Sequence, residues 1–233
     1  MNKEQFVEEL KKINININND ILKKLEKYCE ILLNENKKYN LTSITEENQV
    51  YLKHFYDSLT IVKGIELKNQ YICDIGSGAG FPGLVLKIVF PNIRIDLLDA
   101  TTKKCNFLKL VIETLHLENI KVINERAEKY SHETSEKYDI IVSRAVAPLK
   151  HLLEYSIPLL KIDGIFIALK SNLDEELNNI DNYYNKLYLT NEKIIRFNLP
   201  YEDSHRSIYM INKYNRTPSI YPREYNQIKK KEI

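Results

Sequence analysis

The residues best suited to chemistry form one run, Asp74-Ile75-Gly76-Ser77-Gly78-Ala79-Gly80, which follows the apolar stretch Tyr71–Ile75 and leads into Phe81-Pro82-Gly83. A chain that turns sharply from strand to helix needs glycine, because a Cβ would block both the turn and the close approach of a ligand. The free N–H groups that open the next helix can hold a carboxylate or a phosphate. Pro82 fits a first helical turn, where its missing N–H costs nothing, and Pro91 ends the helix.

Two cofactor chemistries use such a loop. Gly78-Ala79-Gly80-Phe81-Pro82-Gly83 reads as G-x-G-x-x-G, the dinucleotide fingerprint, which is weak evidence alone. S-adenosylmethionine is favoured. Asp74, beside Gly76, Ser77 and Gly78, can meet the amino group of a methionine moiety directly or through water, and its charge repels a pyrophosphate. Asp99 ends the following strand, where a carboxylate holds a ribose diol, a feature that suits NAD equally well. About 70 residues of helical pattern precede the loop, whereas dinucleotide domains often begin at their first strand.

The surrounding elements follow from periodicity. Ile21, Leu25, Tyr28 and Leu32 mark one helical face behind the capping candidates Asn18, Asn19 and Asp20, and a second helical segment is expected from about His54 to Val62. Beyond residue 70, apolar strands alternate with helices. Strands are predicted at Tyr71–Ile75, 93–98, Ile120–Ile123, 140–142 and 165–168, and helices at 81–90, 103–115, 149–160 and 173–187. In the second of these helices Phe107, Leu108, Val111 and Leu115 form the buried stripe. Two more strands, 192–198 and 207–213, close the pattern. The fold class implied is α/β, Rossmann-like, with a mostly parallel seven-stranded sheet covered by helices on both faces. Three zones are expected: an N-terminal helical cap (1–70), the cofactor-binding domain (71–213) and a basic tail (214–233).

Composition narrows the class. The chain has 233 residues, 43% hydrophobic and 28% charged, which excludes a disordered protein. No apolar run is long enough for a membrane span, and the polar, acidic N-terminus is unlike a secretory signal, so a cytoplasmic protein is expected. Cys29, Cys73 and Cys105 are far apart and read as reduced and buried. The five histidines are scattered, so no metal is expected. Net charge is only +2. Residues 204–233 nevertheless carry seven basic side chains against two acids, so the rest of the chain is net acidic. A basic tail suggests a polyanionic partner, with Arg216, Arg223 and Lys229 to Lys231 neutralising phosphates; a solvated, frayed terminus is the plainer alternative.

Arg144 and Lys170 follow the fourth and fifth strands, at the carboxyl edge where open α/β sheets bind ligands. Arg144 is expected beside the cofactor and target pocket. Lys170 is expected to contact substrate. A surface ion pair is the alternative for each. Asn40, His54 and Asp57 lie in the helical cap, which could fold over the pocket and supply them as a lid or as RNA contacts. A packing role suits His54 equally well, and Asp57 could simply satisfy His54.

Several segments, in order, resemble the ribosomal RNA small-subunit methyltransferase G family (RsmG, also called GidB) over nearly the whole chain. They include Tyr39-Asn40-Leu41-Thr42, His54-Phe55-Tyr56-Asp57-Ser58-Leu59, the loop from Asp74 to Gly83, Leu97-Leu98-Asp99, Lys103-Lys104, Phe107-Leu108 and Arg126-Ala127-Glu128. Ser143-Arg144-Ala145, Ala168-Leu169-Lys170, Arg216-Thr217-Pro218 and Tyr221-Pro222-Arg223 continue the match. The resemblance implies methyl transfer from S-adenosylmethionine to N7 of a guanine in the 530 loop of 16S rRNA, position 527 in rRNA numbering. It implies cofactor contacts at Gly76, Phe81, Ala127, Glu128 and Arg144. Ala100-Thr101-Thr102 departs from many relatives and leaves the ribose-side contacts open.

The residues agree with that chemistry. Guanine N7 carries a lone pair and no proton, so it needs alignment rather than a general base. Exocyclic-amine attack is usually served by a D/N-P-P-Y loop after the fourth strand, where this chain has Ser143-Arg144-Ala145-Val146. The similar Asn198-Leu199-Pro200-Tyr201 comes later and reads as a turn. No cysteine follows the fourth or fifth strand to attack a pyrimidine carbon. The rival readings are an NAD(P)-dependent oxidoreductase, a non-catalytic RNA-binding assembly factor and, more weakly, a small-molecule methyltransferase. A monomer is expected, since no heptad seam appears.

Overall fold

A computed structural model describes residues 1–144 and 146–233; Ala145 lies outside the described residues. The sheet orders its seven strands β3-β2-β1-β4-β5-β7-β6. They are β1 (Tyr71–Ile75), β2 (Arg94–Leu98), β3 (Ile120–Ile123), β4 (Tyr138–Arg144), β5 (Leu160–Lys170), β6 (Leu189–Asn198) and β7 (His205–Lys213). The first five are parallel, and β7 runs antiparallel to both β5 and β6. The order reverses between β1 and β4, so the topological switch point lies at the carboxyl ends of those two strands.

The helices are α1 (Lys3–Lys12), α2 (Asn19–Tyr39), α3 (Glu47–Val50), α4 (Asp57–Leu59), α5 (Gly83–Val89), α6 (Thr102–Thr114), α7 (Ala127–Glu133), α8 (Leu149–Ser156), α9 (Asp181–Leu187) and α10 (Tyr225–Lys230). Alternate strand residues enter opposite cores. On β4, Ile140 and Val142 join a cluster with α1, α2, α5 and α6, whereas Ile141 faces one built from α8 and α9. The N-terminal helices share the first cluster with the sheet: Phe6, Leu25, Tyr28, Leu32 and Phe55 pack with Ile72, Leu84 and Leu97. Asn18 caps α2, its side chain accepting from the Ile21 N–H at 2.9 Å. All three cysteines are free and buried, as expected. No helix among the described residues is long and apolar enough to cross a membrane.

Four expected helices are bounded differently by more than one residue, and β4 to β7 run longer than expected. The first helix after the glycine loop starts at Gly83 rather than Phe81, because Gly80 still holds φ at +98°. The helix expected to reach residue 160 ends at Ser156; Pro158 cannot supply an interior N–H, and a 3₁₀ turn, Ile157–Leu159, follows. The helix expected over 173–187 is split into a 3₁₀ turn, Asp174–Leu177, and α9, with Asn179 left-handed between them. The segment expected to begin near His54 starts earlier, at α3, and passes through a π-helical stretch, Tyr51–Tyr56, before α4. Such widened turns often occur where side chains are re-aimed at a site.

The basic tail is folded, not frayed. The buried Glu154 carboxylate of α8 accepts from the Arg223 backbone N–H at 3.0 Å and from its guanidinium Nε and Nη2, both at 2.7 Å. Ile228 and Ile233 are buried against the second cluster, and Lys150 pairs with Glu232 at 2.6 Å. Glu154→Ala should therefore cost about 1–3 kcal/mol by leaving Arg223 half-buried without its partner. Limited proteolysis should then cleave within residues 223–233 faster than in the wild type. An unchanged cleavage rate would show that apolar packing alone holds the tail.

Candidate active site

The glycine loop sits at the switch point. Gly76, Gly78 and Gly80 all have positive φ, +71°, +60° and +98°. A Cβ on Gly76 would lie 2.5 Å from a Val146 methyl, so only glycine lets that side chain cross the loop. A Cβ on Gly78 would meet only the Gly76 carbonyl, at 3.8 Å, so this glycine faces open space. Two carboxylates fix the loop. Asp99 Oδ2 accepts from the Gly78 N–H at 2.9 Å and Oδ1 from the Thr101 N–H at 2.8 Å. Asp74 Oδ2 accepts from the Gly83 N–H at 2.9 Å, and the Ser77 hydroxyl donates to the Asp74 carbonyl.

Two cavities meet at Gly76, Asp99 and Val146. The first, about 490 Å³, is lined by Gly76, Ser77, Gly78, Phe81, Asp99, Arg144 and Lys170, together with Thr42, Lys53, His54, Asp57, Lys104 and Arg206. The second, about 470 Å³, runs from Ile75 and Asp99 past Ala127 and Glu128 to His151, Tyr155, Tyr225 and Lys229. Both fall within the range of small-molecule sites.

In the first cavity Arg144 is mostly buried, and its guanidinium donates to the Lys53 carbonyl at 2.8 Å, to Asp57 Oδ2 at 3.2 Å and to His54 Nδ1 at 3.0 Å. Since Arg144 can only donate, His54 Nδ1 must accept, and Nε2–H donates to Thr42 Oγ1 at 2.8 Å. The imidazole stacks on Phe81 with centroids 4.1 Å apart, and Arg144 lies 5.0 Å over that ring. Burial, reinforced by Arg144, pushes His54 down to about 3. It is a neutral histidine fixed in one tautomer. Asp57 also pairs with Arg206 Nε, at 3.3 Å, through its other oxygen. It does not satisfy His54, as the sequence suggested; it clamps two arginines.

The structure brings together Gly76, Ser77, Gly78, Phe81, Asp99, Arg144, Lys170 and His54 around one cavity and Ala127 and Glu128 around the other. Four of the expected site residues line neither cavity. Asp74 is fully buried and lines neither cavity, because its carboxylate is turned to the Gly83 N–H; a direct contact with a ligand is not what this position offers. Burial pushes its carboxyl up to about 7, and Oδ1 is left without a partner. Asn40 is the exposed, left-handed C-cap of α2 and stands outside both cavities. Arg216 lies 3.9 Å from Glu136, which precedes β4, at the edge of the sheet opposite the crevice. Arg223 is committed to Glu154. Lys170 lines the first cavity, but its ammonium donates to the Ala147 carbonyl at 2.7 Å and to Glu176 at 2.8 Å, so the ion pair is what the structure displays.

Sequence reasoning missed Arg206, Lys53 and Tyr225. For Arg206 a signal existed: β7 is antiparallel, Ser207 pairs with Lys170, and so the first residues of β7 lie at the carboxyl edge of β5.

The comparisons with known proteins bear on this geometry. The family model for rRNA small subunit methyltransferase G matches residues 21–205. Curated ribosomal RNA small subunit methyltransferase G proteins include one from Mycoplasma capricolum, 44% identical over 93% of this chain and 94% of its own. Another, from Mesoplasma florum, is 47% identical over 91% of this chain and 89% of its own. The chain belongs to this family. Among solved structures, a SAM-dependent methyltransferase from Aquifex aeolicus shares the fold with a TM-score of 0.56 at 13% identity, covering 74% of this chain and 97% of that one. The chain thus joins a methyltransferase fold to membership of the rRNA small subunit methyltransferase G family.

The neutral His54 makes a prediction about acid stability. Between about pH 6.5 and about pH 3 the unfolded chain takes up a proton that the folded histidine refuses, so its contribution to stability is lost as pH falls. His54→Gln, which does not titrate, should lose about 1–2 kcal/mol less than the wild type between about pH 7 and about pH 5. Urea unfolding at both pH values measures this, and parallel losses would show that His54 is protonated in the folded protein.

Proposed function

We propose that this chain methylates N7 of a guanine in the 530 loop of 16S rRNA, at position 527. The observation that carries the reading is that the groups able to take a proton in the first cavity are already committed. His54 is neutral and uses both ring nitrogens, Asp57 holds two arginines, and Asp99 accepts two backbone N–H groups. Such a site suits a nucleophile that has no proton to lose, as guanine N7 does, and rate enhancement then rests on alignment.

The crevice fits S-adenosylmethionine. Gly78 opens to the cavity where a Cβ would intrude on a ligand, and Asp99 stands where the cavities join, placed for a ribose. Ala127 and Glu128 would hold the nucleoside end, while Gly76, Ser77 and Phe81 would hold the amino-acid end. The orphan Asp74 Oδ1 would receive its ammonium through a water. When bound, the cofactor supplies an electrophilic methyl group on a sulfonium. Arg144, locked by three partners, shapes the wall against which the base sits. Arg206 presents a cation to guanine O6 or a flanking phosphate, and Lys170, which lines the same cavity, would reach the substrate only by leaving Glu176.

The dinucleotide alternative loses its main contact, since the Asp74 carboxylate already occupies the N–H of Gly83 where a pyrophosphate would sit. A substrate of ribosomal RNA makes the cytoplasm the site of action. The protein acts on the small subunit as a monomer.

The test is mass-spectrometric mapping after incubation with small subunits that lack the modification. Wild-type protein should place one N7-methylguanine in the 530 loop. Arg144→Ala should cut transfer by about 100-fold or more, and Asp57→Asn should lower kcat while leaving the affinity for S-adenosylhomocysteine within about threefold. Methyl groups elsewhere in the RNA, or none, would overturn the assignment.

A further inference from the structure

The family match ends at residue 205, so it assigns nothing to the C-terminal segment. The sequence cast that segment as an RNA anchor, yet the structure gives it a different place. The Arg223–Glu154 pair and the buried Ile228 and Ile233 bring α10 against α8 and leave Tyr225 and Lys229 as one wall of the second cavity. There the Arg126 guanidinium lies 4.2 Å over the Tyr225 ring, and Arg126 Nε donates to the carboxylate of Glu128. Arg126 is half-exposed, so in water this contact would be one of several arrangements open to its flexible side chain. The aromatic face gives the guanidinium a fixed seat, and the guanidinium in turn fixes the buried Glu128.

We propose that Tyr225 is a positioning residue for methyl-donor binding: through Arg126 it orients Glu128, so that the C-terminal segment completes the nucleoside end of the crevice. This rests on the reading that S-adenosylmethionine occupies that crevice. The ring, and not the hydroxyl, does the holding. The tail thereby serves the cofactor rather than the RNA, although its sequence is basic.

The full-length protein is titrated with S-adenosylhomocysteine and with adenosine by calorimetry, and methyl transfer is measured on small subunits. Tyr225→Ala should weaken both ligands by about five- to tenfold. The loss should appear in KM for the donor and not in kcat or in KM for the small subunit. Tyr225→Phe keeps the ring and should restore wild-type affinity. Arg126→Met leaves the tail in place and should show the same loss, and the double variant should lose no more than either single one, because the two act in series.

Unchanged ligand affinity in Tyr225→Ala overturns the inference, as do additive losses in the double variant. A rise in KM for the small subunit with donor affinity intact also overturns it, and returns the segment to RNA binding. Wild-type protein that itself fails to bind S-adenosylhomocysteine overturns the cofactor reading, and this inference with it.

Discussion

The carboxylate of Asp74 accepts a hydrogen bond from the backbone of Gly83 across the glycine loop, and the geometry of the crevice depends on that closure. It ties the end of β1 to the start of α5, so the residues between must turn back on themselves with Gly76, Gly78 and Gly80 at positive φ. Asp99 repeats the device from β2 by holding the Gly78 N–H. Burial raises the Asp74 carboxyl to about 7, so near neutrality this side chain sits between its charged and neutral forms, and a positive group near Oδ1 would favour the charged one. The closure also takes up the N–H of Gly83, the first residue of α5. A cofactor bearing a phosphate loses its usual contact there, whereas a nucleoside cation does not.

The N-terminal helices are part of this site rather than an addition to it. Tyr28 of α2 donates to the Ala79 carbonyl in the loop, and its ring stacks on Phe55 and Phe81 at 5.4 and 5.7 Å. The π-helical stretch then stacks His54 on Phe81 as well, and α4 delivers Asp57 to Arg144. The loop and the cap are thus packed as one unit, since Phe81 stacks with a tyrosine from one segment and a histidine from another. One side of the first cavity, with Thr42, Lys53, His54 and Asp57, is thus built from residues outside the Rossmann-like core.

The core was legible in the sequence because its signals are local. Central parallel strands buried on both faces read as short apolar runs, and a glycine loop behind an acid announces itself within ten residues. Boundaries failed where a single residue decided them, at Gly80, Pro158 and Asn179. The site was legible only in part, for a different reason. Arg206 and Asp57 are ordinary charged residues whose partnership spans most of the chain, and nothing local marks it. Arg223 misled by its composition. In a basic tail it looks like a phosphate contact, and only the buried Glu154 shows that its charge is neutralised within the protein.

One crevice must accept both a sulfonium cation and a polyanion, and the charges are layered accordingly. The acids lie deep: Asp74 beneath the loop, Asp99 at the junction of the cavities and Glu128 in the second cavity, all nearly or fully buried. Lys53, Lys104 and Arg206 line the first cavity, where they could meet a phosphate backbone. Between the layers Arg144 is neutralised by Asp57 and braced by a histidine that stays uncharged. A charged histidine at that point would add a second cation beside the methyl donor and weaken its binding. Holding His54 neutral keeps the two layers separate, so that RNA attraction at the rim does not repel the cation at the floor.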